Sequence, residues 1–200
     1  ILAFGSHTEG NFAYMENDQP AANDGYAVSK RKAEDALLEV VDGTATKFVI
    51  LRSPPIYGPN MTNNILNLFK AVYFGWPLPL KSINNNLSFI YVGNLVSAIL
   101  ASINNPIAIN KKYFVCDREN VTTGEFIIKI AESMKKKVYL FPFSLALLRL
   151  IGVLTGQTFA VGRLTNSLNV DGSIISKELN WEPPFSMNAG LQVTSEWYLN

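Results

Sequence analysis

The sequence predicts an α/β fold in which helices cover a doubly wound parallel sheet. Two predicted strands, residues 1–6 and 47–52, contain the continuous apolar runs ILAF and FVIL, as is typical of strands that are buried on both faces. Between them, residues 23–25 form a helix start, apolar residues recur at helical spacing, and Gly43 ends the pattern. A strand, a helix and a strand in this order predict a right-handed crossover, in which functional groups collect where strands end and helices begin.

The later segments continue the alternation of helices and strands. Residues 64–74 predict a helix whose apolar positions face the sheet, and polar or proline-rich breaks follow at 75–80 and 84–86. The remaining predicted elements are a strand at 89–92, a helix from Asn94, a strand at 113–116, a helix capped by Thr122 or Thr123, and a packed apolar helix at 144–154.

Tyr26 and Lys30 are the first candidates for chemistry, because residues four apart on a helix share one face. A phenol with an ordinary pKa of about 10 is a poor acid-base group near neutral pH, and a neighbouring ammonium favours its phenolate. Chance matches to this spacing are frequent, and most of them are solvated helix faces.

Several further motifs occur in order along nearly the whole chain. They are FGS at residues 4–6, DGYAVSK at 24–30, LRSPPIYGP at 51–59, SFIYVGNL at 88–95 and NWEPP at 180–184. With these motifs the chain resembles the extended short-chain dehydrogenase/reductase family, of the NAD-dependent epimerase/dehydratase type. Residues 77–80 and 167–171 look similar to those of nucleotide-sugar 4-epimerases and 4-ketoreductases. The resemblance implies the C-terminal part of a Rossmann-like sheet with a smaller α/β substrate-binding lobe.

The resemblance also implies roles for individual residues. Tyr26 would be the acid-base group at the sugar hydroxyl, Lys30 would bind the nicotinamide ribose, and Ser6 would hydrogen-bond the reacting oxygen. Tyr26 and Lys30 would also contact the cofactor, NAD or NADP, and Pro54 and Tyr57 would lie beside its nicotinamide end. The chemistry would be hydride transfer at C4 of a sugar.

Further residues are expected to contact the substrate, a nucleotide-diphosphate sugar that we expect to be a UDP-sugar. Asn64 lies at a helix start, where the alternative is simple capping, and Leu78 and Leu80 would border the base unless they belong to the core. Related enzymes commonly place an arginine where this chain has Leu87, so Arg163 is the remaining candidate for the diphosphate.

A second departure concerns the cofactor. The glycine-rich turn that binds a dinucleotide pyrophosphate in this family does not occur in these 200 residues. We therefore expect residues 1–60 to be the second half of a dinucleotide-binding domain, and 61–200 mainly the substrate lobe, with some elements returning to the first domain. On this interpretation the chain is the C-terminal portion of a longer protein and is inactive alone.

Composition restricts the possible functions. The formal net charge is +1, and the short basic run at 135–137 is not the clustered pattern of a nucleic-acid module. A single Cys116 and a single His7 argue against a disulfide framework and a zinc site, and they fit a reducing cytoplasm. Residues 144–154 are too few to span a membrane and contain Arg149.

Two functional classes stay open at this point. The first is an NAD(P)-dependent nucleotide-sugar epimerase or 4-ketoreductase, for which a homodimer is one possible assembly. The second is a homologue that binds nucleotide sugars without catalysis, an alternative that Leu87 supports. The joint presence of Tyr26, Lys30 and Ser6 favours the enzyme.

Overall fold

The computed structural model describes residues 7–10, 12–18, 25–62 and 64–200, with Tyr26 described by its backbone alone. The strand predicted at residues 1–6 lies outside the described residues. In chain order the elements are α1 (Gly25–Val41), β1 (Val49–Arg52), β2 (Ile56–Tyr57), α2 (Asn64–Tyr73), β3 (Ile90–Tyr91), α3 (Val92–Ile103), a short 3-10 helix (Pro106–Ala108), β4 (Lys111–Phe114), α4 (Thr123–Ser133), α5 (Leu145–Leu154), α6 (Thr158–Thr165), α7 (Ser173–Leu179) and α8 (Met187–Leu199).

The described strands pair in parallel, as the apolar runs predict. β1 pairs with β4, with Val49 opposite Lys111 at one end and Arg52 opposite Phe114 at the other, and β2 pairs with β3. The strand predicted at 113–116 therefore begins and ends two residues earlier, at Lys111–Phe114. Apolar character marked the buried end of this strand, whereas its true start is set by pairing with β1.

Local signals fix most helix ends. α1 ends at Val41, and Gly43 follows in the left-handed region with a φ of 68°, which a residue without a Cβ adopts readily. Thr122 caps α4 in a capping box with Glu125. α3 begins at Val92, two residues before the predicted start at Asn94.

Two buried clusters hold the layers together. The larger lies among α2, α4 and α8 and includes the rings of Phe89 and Phe126, which stack with their centroids 4.1 Å apart. The smaller lies around β1 and β4, where Tyr113, Ile175 and Trp181 are buried. The carboxyl end of β1 lies close to α2 and α6, since residues of all three line one cavity.

α5 differs from the packed helix that the sequence predicts. Leu148 packs against the larger cluster and Gly152 is buried against Val161, but the remaining leucines of this helix are largely exposed. Among the described residues, no helix has the length and apolar character needed to cross a bilayer.

Candidate functional site

A cavity of about 870 Å³ lies where α1, the end of β1, the start of α2 and the segment around α6 meet. Lys30 of α1, Pro54 after β1, Asn64 at the start of α2 and Arg163 of α6 all line it. The structure therefore brings together four of the residues that sequence analysis selected. The volume of the cavity is in the range of cavities that bind cofactors and small ligands.

One face of α1 forms a wall of this cavity. Lys30, Ala33, Glu34 and Leu37 line it, at the spacing of residues that share a helix face. Tyr26 lies one turn before Lys30 on the same helix, and its side chain is outside the described part of the chain. Ser6 also lies outside the described residues. The predicted Tyr26, Lys30 and Ser6 set thus remains a prediction, with Lys30 placed at the cavity.

An ion pair fastens this wall to the sheet. Arg52, at the end of β1, donates from Nε to Oε1 of Glu34 at 3.0 Å and from Nη2 to Oε2 at 2.6 Å. Burial raises the Glu34 pKa, but the hydrogen bonds and charge of Arg52 outweigh it, so the pKa lies below its ordinary value. The Lys112 ammonium lies 3.6 Å from Glu34 and acts in the same direction. This pair positions the helix that carries Tyr26 and Lys30.

Glu16 lies beside this pair but has a different environment. Its Oε1 accepts a 2.8 Å hydrogen bond from the Phe114 amide, and its main-chain oxygen accepts one from Arg52 at 3.3 Å. Burial raises the pKa of the Glu16 carboxyl, and the hydrogen bond from Phe114 offsets this only in part. Its Oε2 is buried and has no hydrogen-bond partner among the described residues.

Asn85 organises the opposite wall, a role that sequence analysis missed. Its Nδ2 donates to Oγ1 of Thr123 at 3.0 Å and to the main-chain oxygens of Leu164 and Asn166 at 3.3 and 2.9 Å. Its Oδ1 accepts from the Thr123 amide at 2.9 Å. The buried amide therefore ties the segment that carries Arg163 to the start of α4. In the sequence Asn85 is the middle residue of a polar turn, and only the fold shows that it is buried.

Arg163 is exposed at the cavity edge. Its guanidinium carbon lies 4.3 Å from the centre of the Phe159 ring, one turn earlier on α6. Nearby, Arg149 of α5 donates to Oδ1 of Asn166 at 3.2 Å. Leu87 lines the cavity too, with its main chain bridged to both Val121 and Leu168. The cavity is therefore apolar at Leu87, where related enzymes commonly have an arginine.

Three predicted contact residues do not line this cavity in the described part of the chain. Leu78 forms a bridge with Leu140 and Leu80 is buried in the larger cluster, so both pack in the core. Tyr57 is also buried, and its hydroxyl donates to Oδ2 of Asp117 at 2.9 Å. Burial and the adjacent Asp117 charge raise the Tyr57 pKa well above its ordinary value. Tyr57 is thus part of the core, and its contact with the cofactor stays a prediction.

Asp117 is the centre of a second buried network. Its carboxylate accepts hydrogen bonds from the Tyr57 hydroxyl, the Tyr91 amide and Nδ2 of Asn94, the last at 2.7 Å. Burial raises the Asp117 pKa, with the hydrogen bonds opposing it. The Asn94 side chain also bonds both main-chain polar groups of Phe185. This network joins β2, β3 and α3 to the segment before α8.

Among the described residues, no group of three or more His, Cys, Asp and Glu side chains is arranged to hold a metal ion.

The ordered motifs, the parallel strands and the cavity beside α1 agree with a comparison against known families. The NAD dependent epimerase/dehydratase family matches residues 3–116, more than half of the chain. The chain belongs to this family. The resemblance to the epimerase/dehydratase type of the short-chain dehydrogenase/reductase family, which the sequence motifs indicated, is confirmed.

Individual relatives of this family agree. A UDP-glucose 4-epimerase from Vibrio cholerae is 33% identical over 187 residues, which are 93% of this chain and 57% of that protein. An N-acetyl-α-D-glucosaminyl-diphospho-ditrans,octacis-undecaprenol 4-epimerase from Escherichia coli O157:H7 is 24% identical over 186 residues, 86% of this chain and 56% of that protein. The chain thus spans less than two thirds of the length of these relatives.

Solved structures show the fold. The UDP-glucose 4-epimerase of Thermus thermophilus, solved with NAD, aligns with a TM-score of 0.74 at 18% identity, over 99% of this chain and 61% of that one. A UDP-glucose 4-epimerase from Thermotoga maritima, solved with UDP-glucose, aligns with a TM-score of 0.71 at 18% identity, over 98% and 60%. The predicted Rossmann-like α/β fold is confirmed.

Proposed function

We propose that this chain is the substrate-facing part of an NAD(P)-dependent enzyme that transfers hydride at C4 of a nucleotide-diphosphate sugar, as an epimerase or a 4-ketoreductase. The observation that carries the proposal is the joint presence of Lys30, Pro54, Asn64 and Arg163 around one cavity. These residues come from four separate segments, and they are among those to which the family resemblance assigns cofactor and substrate contacts. The names of the relatives support a UDP-sugar as the substrate.

The donors around the cavity suit the two ends of such a substrate complex. Lys30 supplies an ammonium from α1, and Arg163 supplies a planar guanidinium from α6. Bidentate binding of a phosphate by arginine is stronger and more directional than a neutral hydrogen bond. We therefore assign the nicotinamide ribose to the Lys30 end and the diphosphate to the Arg163 end.

The residues present fit the nicotinamide half of NAD(P), because a cavity wide enough for it is bounded by Lys30 and by Pro54, which has no amide hydrogen to leave unpaired. A nicotinamide held beside Lys30 and Pro54 would supply hydride-transfer chemistry at the sugar carbon. Tyr26 then holds or releases the proton of the sugar hydroxyl, Lys30 favours the phenolate, and Ser6 hydrogen-bonds the reacting oxygen. These 200 residues contain no glycine-rich turn of the kind that binds a dinucleotide pyrophosphate, so no residue among them is assigned to that group.

The test of catalysis is Tyr26→Phe in the protein that carries this chain. We expect turnover of a UDP-sugar with saturating cofactor to fall by a hundredfold or more, on the order of a lost general acid-base group. Binding of UDP, measured by calorimetry, should stay unchanged because the proposed role of Tyr26 is at the sugar and the cofactor and not at the nucleotide of the substrate. A substituted enzyme that kept most of its turnover would remove Tyr26 from the acid-base role.

Calorimetry also tests the binding end and the non-catalytic alternative. Arg163→Ala should weaken UDP binding by about 2–3 kcal/mol, the value of a hydrogen bond to a charged group. The matched control is Arg118→Ala, which removes an exposed arginine paired with Glu182 outside the cavity and should leave affinity unchanged. Protein that binds UDP through Arg163 but shows no turnover with Tyr26 intact would establish the non-catalytic homologue.

A further inference from the structure

The outward half of α5 is apolar along its whole length. Ala146, Leu147, Leu150, Val153 and Leu154 recur at the spacing of one helix face and are all exposed. The opposite half carries Leu148 and Gly152, which pack against the protein. A helix that packs on a globular protein normally places polar residues on its solvent face, so an apolar solvent face indicates an interaction surface.

α6 extends this surface and joins it to the cavity. α5 and α6 pack against each other through Gly152 and Val161. Phe159 of α6 is exposed, and Arg163, one turn later, stacks on it and lines the cavity. We call Leu147, Leu150, Val153, Leu154 and Phe159 the hairpin surface. Whatever covers the hairpin surface therefore lies next to the proposed diphosphate end of the site.

The charged residues of the two helices that form the hairpin surface have one sign, since they are Arg149 in α5 and Arg163 in α6, both exposed. Between Glu132 and Asp171 the chain has no acidic residue, and its five charged residues in this interval are all basic. They are Lys135, Lys136, Lys137, Arg149 and Arg163. An apolar face whose own helices carry only cationic charged residues complements a surface that presents apolar chains beneath anionic groups.

Aromatic rings continue from the hairpin surface towards α2. The rings of Tyr139, Phe141 and Phe143 follow one another at centroid separations of 6.2 and 6.3 Å and lead directly into α5. Phe141 hydrogen-bonds Leu78 through the main chain, and Trp76, two residues before Leu78, is exposed. Tyrosine and tryptophan are enriched at the membrane–water boundary, where an apolar ring and a polar atom are both accommodated.

We infer that the hairpin surface docks on an anionic lipid bilayer, with α5 lying in the interface and the cavity mouth facing the headgroups. α5 has ten residues, so it lies on the membrane and does not cross it. A second exposed apolar face, on α3, has neither basic residues nor aromatic rings in its own helix, and it is not part of this inference. That face supplies a matched control.

The test is co-sedimentation of the chain with vesicles of phosphatidylcholine and phosphatidylglycerol, mixed at about three to one. The variant Leu150→Glu with Leu154→Glu places two charges on side chains that are 52% and 77% exposed. The control, Leu100→Glu with Ile103→Glu on α3, changes side chains that are 55% and 72% exposed. We expect the hairpin variant to lower the partition coefficient by about tenfold or more and the control to leave it unchanged.

Salt supplies a second readout that needs no variant. Raising NaCl to about 0.5 M should weaken binding of the unsubstituted chain, because attraction of basic residues to anionic lipid is screened. Equal loss of binding in both double variants would overturn the inference, as would unchanged binding in the hairpin variant. The inference would also be overturned if the chain did not bind vesicles and instead self-associated through the hairpin surface. Size-exclusion chromatography of the two variants would show such self-association. Far-UV circular dichroism verifies that both variants are folded.

Discussion

Glu34→Gln is the substitution that most directly tests how α1 is held in place. The Arg52 side chain is 8% exposed and donates two hydrogen bonds to Glu34, which is 19% exposed. Removing one partner of a fully buried ion pair costs about 3–5 kcal/mol, because a charge is left buried without compensation. Residual access of water to Glu34 lowers the expected loss to about 2–3 kcal/mol of unfolding free energy.

The assay is urea unfolding followed by tryptophan fluorescence, which Trp181 reports from the cluster beside β1. Glu182→Gln is the control. Its carboxylate pairs with Arg118, and the two side chains are 64% and 66% exposed. An exposed pair of this kind contributes about 0–1 kcal/mol. Equal losses in the two variants would refute the argument from burial.

A double substitution separates burial of charge from loss of packing. Glu34→Leu with Arg52→Met removes both charges and keeps apolar volume, so it should recover most of the stability that Glu34→Gln loses.

The pH dependence of stability tests the same ion pair in the unsubstituted protein. The Glu34 pKa is lowered on folding, so its contribution is present above its ordinary value of 4.5 and is lost as pH falls through the lowered value. The difference from Glu34→Gln should therefore shrink in acid.

Two further substitutions test the walls of the cavity and the core beneath it. Asn85→Ala leaves the buried hydrogen-bond partners of this amide unsatisfied and should lower the unfolding free energy by about 2–3 kcal/mol in urea, whereas Asn84→Ala, at an exposed neighbour, should have no effect. Gly190→Ala places a Cβ 2.7 Å from the Tyr91 ring and should lower the thermal midpoint, with a loss of about 1–3 kcal/mol. Gly124→Ala, whose Cβ would meet nothing closer than 3.7 Å, should be neutral or slightly stabilising, and a similar loss in both variants would contradict the close-packing argument.

The elements that the sequence predicted well are those whose signals are local. α2 was predicted at 64–74 and is Asn64–Tyr73, because its apolar positions alternate with polar ones at helical spacing. The end of α1 and the cap of α4 depend on single residues, Gly43 and Thr122, that act on their immediate neighbours. Strand limits were less accurate, since pairing with a distant segment decides which residues of an apolar run join the sheet.

The residues of the candidate site also differ in how far the sequence predicted them. Lys30, Pro54, Asn64 and Arg163 were selected through motifs, and the fold places them around one cavity. The residues that hold the walls were missed, because Asn85 gains its role only where residues 123 and 164–166 converge on it. The pairing of Arg52 with Glu34 likewise requires knowing that α1 lies across the end of β1. No local pattern distinguishes these side chains from ordinary surface residues.

In α5, the position of polar residues is more informative than the apolar content of the helix. α2 and α5 are both apolar helices of ten residues, but α2 carries Asn67 and Lys70 on its solvent side, whereas α5 carries only Arg149 among its charged or amide residues. Apolar content alone predicted a packed helix. The absence of a polar face is the more specific signal, because a helix covered on one side by its own protein needs polar residues on the other side to face water. A helix without them requires a second apolar or interfacial environment, and the arginines of α5 and α6 favour an anionic bilayer as that environment.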